Sequence, residues 1–70
     1  MENEERIYVK QLGNEERIML AELALSEAGF GLEEEDIIDL ITYLLHLAYR
    51  DGYDTESILR MAEINFEGEK

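Results

Sequence analysis

The 70-residue chain has no cysteine, proline or tryptophan, one histidine, and only six lysines and arginines. Each shortage excludes something. Without cysteine there is no disulfide framework, no zinc ribbon and no thiol nucleophile. One histidine leaves nothing from which to build a Ser/His relay or a His-rich metal site. No positively charged stretch precedes an apolar run, so no secretory leader is expected. No apolar run approaches the ~20 residues of a membrane span. The six basic residues face 18 aspartates and glutamates, a net charge of 6 − 18 = −12. A nucleic-acid backbone would meet a repelling field, so direct nucleic-acid binding is disfavoured.

What is present argues for a folded chain. Hydrophobic residues make up 46% of the sequence, far too many for an acidic disordered tail. The expectation is one small domain over residues 1–70. A monomer of this size buries only roughly 60% of its unfolded surface, so a second copy is expected to complete the core.

Punctuation divides the chain. Arg6-Ile7-Tyr8-Val9-Lys10-Gln11-Leu12 is β-branched and aromatic with weak alternation, which predicts a short strand ending at Gly13-Asn14. Asn14 is then the expected N-cap of a first helix, with Glu15 and Glu16 favoured by its dipole. Ile18, Ala21, Leu25 and Ala28 form its apolar stripe, and Gly29 ends it. The second helix opens on Glu33-Glu34-Glu35-Asp36. Ile37, Ile41, Leu44, Leu45 and Ala48 follow at helical spacing, with Ile38, Leu40 and Leu47 widening the face, so this helix should be central. Its polar lane is Glu35, Asp39, Thr42, His46 and Arg50. Gly52 stops it, and Asp54 caps a third helix containing Ile58, Leu59, Met61 and Ala62 and reaching about as far as Phe66. The tail Glu67-Gly68-Glu69-Lys70 is expected to fray. The predicted fold is mainly α, three helices with a short N-terminal β-strand, assembled as a homodimer through the central helix or the strand edge.

Three readings of the acid compete. The plainest is a solvated surface, with the recurrence of Asn-Glu-Glu-Arg-Ile at 3–7 and 14–18 reflecting only a shared liking for caps. Yet a net charge of roughly 2–8 already keeps a small domain soluble. A charge of −12 costs stability through self-repulsion, which suggests that the field itself is used.

The second reading is imitation of a nucleic-acid backbone. Helical neighbours three or four residues apart have Cβ atoms roughly 5–6 Å apart, comparable with the ~3.4 Å phosphate repeat along one DNA strand. Glu35 and Asp39 have that spacing; Glu15, Glu16, Glu22, Glu33, Glu34 and Asp36 add charge near it. Carboxylates on a rigid surface would occupy the Lys/Arg groove of a DNA-binding protein and gain the counter-ion release that DNA gains. A small, cysteine-free, Glu-dominated chain with the Glu15-Glu16 and Glu33–Asp36 clusters resembles the acidic DNA-mimic proteins of bacteriophages. In size and charge it is most similar to the lytic-phage inhibitors of the bacterial nucleoid protein HU. That resemblance implies a dimeric host-takeover inhibitor in the bacterial cytoplasm, acting at the nucleoid on the DNA-binding face of an HU-like protein. It implies no catalysis, cofactor or metal.

The third reading is enzymatic. Asp36-Ile37-Ile38-Asp39 places two carboxylates at i, i+3, and the stretch from Asp36 to Glu56 resembles one helix and turn of the all-α MazG-type nucleotide pyrophosphohydrolases. There such carboxylates hold Mg²⁺ against nucleotide phosphates, because hard oxygen ligands suit that ion. The family pairs this segment with a Glu-Glu-x-x-Glu helix, whereas Glu22 and Glu27 stand alone here and Met19 follows Glu15-Glu16.

Smaller features have plainer readings. His46 is expected to be at least partly buried and bonded to a neighbour. Tyr43, Tyr49 and Tyr53 suit a core or dimer seam, and Met19 and Met61 suit gap-filling in the core. Ser26 and Ser57 lie on other helices with no nucleophile elbow. Gly29-Phe30-Gly31 lacks the lysine of a phosphate loop and precedes four acids.

Overall fold

The computed structural model describes residues 12–70, which form three helices: α1 (Asn14–Glu27), α2 (Glu34–Arg50) and α3 (Thr55–Glu69). The expected strand at 6–12 lies outside the described residues except for Leu12, which belongs to no element. The described chain is all-helical.

The helix ends follow from local chemistry. Gly13, not Asn14, is the N-cap of α1, with extended dihedrals (φ −76°, ψ 174°) and no side-chain cap bond. Asn14 is already helical, and its Oδ1 accepts from Arg17 Nη1 at 2.9 Å. Its amide therefore serves the first turn sideways instead of capping it. α2 starts from Glu33, whose backbone N–H donates to Asp36 Oδ2 at 3.0 Å, the reciprocal half of a capping box. Asp54 caps α3 as expected, its Oδ1 accepting from the backbone N–H of Glu56 (3.0 Å) and Ser57 (3.3 Å).

α1 and α2 end in the same way. The Phe30 N–H donates to the Leu25 carbonyl (2.9 Å) and the Gly29 N–H to the Ser26 carbonyl (3.0 Å). Tyr53 donates to Ala48 (2.9 Å) and Gly52 to Tyr49 (3.1 Å). Both are Schellman motifs, which place the residue after the helix in the left-handed region, and Gly29 and Gly52 have φ of 83° and 82° there. The two carbonyl acceptors of the long bonds belong to Leu25 (4% exposed) and Ala48 (7%), the two buried residues among those described. The core consists of the two helix ends.

α2 packs against both α1 and α3, so it is central in arrangement. Its apolar side chains are nevertheless only partly covered. Leu40 and Leu45 are half-buried, while Ile37, Ile38, Ile41, Leu44 and Leu47 remain exposed. Tyr43, Tyr49 and Tyr53 are exposed too, Tyr49 most of all at 80%. Tyr43 meets Phe30 in a tilted ring contact at 5.6 Å, but the three tyrosines form no core. Met19 and Met61 fill no gap in one, since both are exposed. Three short helices, with α1 and α3 meeting each other chiefly at Arg17 and Glu69, do not enclose the wide apolar face of α2.

The end of α3 departs from the expected fraying. The helix runs through Gly68 to Glu69, and Lys70 N–H donates to the Phe66 carbonyl at 3.0 Å. Lys70 Nζ lies 3.1 Å from Glu67 and 5.5 Å from the Phe66 ring centroid, so a cation closes the negative end of the helix dipole.

Candidate functional site

Two surfaces stand out: the carboxylates, and an apolar cleft beside α2. Apart from half-buried Asp36, every acidic side chain among the described residues is exposed. Glu33, Glu34, Glu35, Asp36 and Asp39 gather at the start of α2, where the unpaired amides of the first turn favour negative charge. Within this group Glu33 and Asp36 are engaged with each other's backbone amides in the capping box.

The other acids selected from the sequence do not join them. Glu15 and Glu16 open α1, about 18 Å of helix (12 residues at ~1.5 Å each) from its far end at Glu27. Their neighbourhood is the end of α3: Arg17 Nε lies 3.6 Å from Glu69 Oε1, and Asn14, Arg17, Phe66, Glu69 and Lys70 line one hollow. Glu69 is thus a surface acid that sequence reading missed, since its helix was expected to have frayed. Glu22 stands apart again, at the rim of the apolar cleft. The acid is therefore distributed in groups, with the α2 group the densest.

The cleft lies between α1 and α2 and has a volume of about 410 Å³. Ile18, Ala21 and Leu25 line one wall; Ile37, Leu40, Ile41 and Leu44 line the other, and Leu32 closes an end. Glu22 is its one charged lining residue. Such a surface holds apolar groups and offers no convergent polar chemistry.

The enzymatic reading rests on Asp36 and Asp39. No group of three or more Asp, Glu or His among the described residues is placed to hold a metal ion. Among the described residues Asp36 and Asp39 remain a pair on one helix, with no third ligand gathered beside them. His46 is exposed, contrary to the expected burial, as are Glu35, Asp39 and Arg50 of the same lane. Among the described residues no helix is long and apolar enough to cross a membrane. No protein-family model matches the chain, and neither a curated protein nor a solved structure does.

Proposed function

We propose that the chain is an acidic DNA-mimic inhibitor that occupies the DNA-binding surface of a basic nucleoid-associated protein of the HU type and displaces DNA from it. One observation carries the reading: a net charge of −12 on 70 residues, with nearly all the described carboxylates exposed and the densest group fixed to the first turn of a helix. Fixed carboxylates substitute for phosphates at Lys/Arg side chains without base readout, and release the same condensed counter-ions. No single carboxylate dominates such an interface. The bacterial cytoplasm is the corresponding place of action.

The test is a competition titration with purified HU and labelled duplex at two salt concentrations. The expected result is release of DNA that weakens steeply as salt rises. No release and no complex at low salt would remove the HU assignment.

The MazG-type reading is second. Its support is the all-helical segment from Asp36 through the turn to α3, with Asp36 and Asp39 one turn apart. Hydrolysis of nucleoside triphosphates with Mg²⁺, abolished by Asp36→Asn or Asp39→Asn, would favour it over the mimic.

A further inference from the structure

The cleft between α1 and α2 has two walls of equal length. Ile18 to Leu25 on α1 and Ile37 to Leu44 on α2 each advance seven residues, about 10.5 Å at ~1.5 Å per residue. Leu25, buried, and Leu40, half-buried, lie deepest, while Ile18, Ile37, Ile41 and Leu44 stand exposed along the rims. Leu32, 60% exposed, closes one end. The result is an open apolar trench of defined length.

The walls decide what form of chain can lie there. Both are helices, whose interior amides and carbonyls are bonded along their own axes. Glu22 is the one charged residue of the lining, and every other lining side chain is apolar. An extended segment laid in the trench would bury backbone groups with nothing to bond them. A helix satisfies its own backbone and presents only side chains. Its anchors at i, i+3, i+4 and i+7 span the same seven residues as each wall, about 10.5 Å.

Charge decides what else that helix carries. Glu22 stands on the α1 wall, and the first turn of α2, with Glu34 and Glu35, immediately precedes Ile37. None of these three takes part in an ion pair among the described residues. A lysine or arginine beside the apolar stripe lays its methylenes on the rim and its charge at these carboxylates. A second copy of the chain brings a further −12 to the same rim, so like charge opposes it there.

We propose that the cleft docks a basic amphipathic helix of a partner protein, with apolar anchors in the trench and Lys/Arg flanks at Glu22, Glu34 and Glu35. This is a second binding surface, separate from the replacement of phosphates by carboxylates, and it does not depend on HU.

The test is fluorescence anisotropy with the full chain and a labelled synthetic peptide of about 15 residues. It carries leucines at i, i+3, i+4 and i+7, with lysines and alanines elsewhere. A second peptide has the same composition with the leucines rearranged so that no stripe forms, and a third has glutamates for the lysines. The striped basic peptide should bind at least about tenfold more tightly than its rearranged twin, which is less than the burial of one leucine supplies. The glutamate peptide should not bind. Equal binding of the two basic peptides would overturn the proposal, because the overall field of the chain would then account for all of it. Ile18→Ser and Leu32→Ser, both at positions 60% exposed, are checked for unchanged helicity by circular dichroism and should weaken the striped peptide alone. Tyr49→Ser, exposed outside the cleft, should not, and an equal loss there would overturn the location. No binding by the full chain would overturn the proposal outright. Sedimentation equilibrium would then divide the other occupants: 2 × 8.2 = 16.4 kDa assigns the cleft to a second copy, and 8.2 kDa leaves residues 1–11 of the same chain. Neither HU nor DNA enters this experiment, so its failure leaves the DNA-mimic reading standing.

Discussion

Gly29 and Gly52 show how much of this fold rests on single residues. Both have φ near +82°, and a Cβ added at either would meet nothing within 4 Å. The cost of Gly29→Ala or Gly52→Ala is thus backbone strain alone, about 1–2 kcal/mol for a side chain in the left-handed region. Each motif also fixes one of the two buried residues, so a protein with so small a core has little to spare. Urea unfolding followed by circular dichroism should show a lower midpoint for both variants, with Gly→Asn milder because asparagine tolerates that region. An unchanged midpoint for Gly52→Ala would mean that the α2 terminus is not held as described. These positions were legible in the sequence because the signal is local: a glycine after an apolar stripe, and an aspartate two residues beyond Gly52. Asn14 was misread because Gly13 and Asn14 are both acceptable caps, and only the Arg17 contact distinguishes them. Asp36 was read as a partner-binding carboxylate, whereas its capping role depends on a backbone bend at Glu33 that composition does not reveal.

Among the elements, α2 combines the two properties that the sequence made most visible, acid at its start and an apolar stripe after it. Those carboxylates have a structural part independent of any partner, since each stabilises its own helix through the dipole by about 0.3–1 kcal/mol. Replacing Glu33, Glu34 and Glu35 together with glutamine sets lost dipole stabilisation against relieved like-charge repulsion, so stability should shift by no more than about 1 kcal/mol, and the change should also weaken displacement of DNA from HU. The second effect should exceed what the loss of folded protein explains, which is checked by titrating at a temperature where both proteins are fully helical. Glu15→Gln with Glu16→Gln, at the opposite end of α1, is the informative comparison. If the two sets weaken displacement equally, the interface is diffuse; a larger loss from the α2 set identifies that turn as the contact. What periodicity left open was coverage. A 3.6-residue stripe says that α2 needs an apolar neighbour without saying which, and α1 and α3 cover only its flanks. The helical end of α3 was hidden for a related reason, as Gly68 reads as a stop until Lys70 is seen closing on Glu67 and Phe66.

Over the whole molecule, openness and charge act together. Among the described residues only Leu25 and Ala48 are buried. The ion pairs described, Arg17–Glu69 at 3.6 Å, Arg50–Asp51 at 2.9 Å and Lys70–Glu67 at 3.1 Å, are all substantially exposed, and such pairs contribute little. Repulsion among the remaining acids is the larger effect. Across a body of 28 × 28 × 26 Å, a Debye length of about 30 Å at 0.01 M salt leaves every carboxylate sensing the others, while about 8 Å at 0.15 M leaves only near neighbours. Added sodium chloride should accordingly raise the melting temperature of a chain that carries −12. Binding to a basic partner has the opposite sign, because attraction is screened and counter-ion release loses its advantage as salt rises. One salt series therefore separates the electrostatic roles. The melting temperature should increase from 0.01 to 0.15 M while HU displacement falls. A melting temperature that drops over that range would mean that specific ion pairs, not self-repulsion, govern the charge balance. Displacement that survives high salt would point to an apolar contact, for which the cleft beside α2 is the available surface.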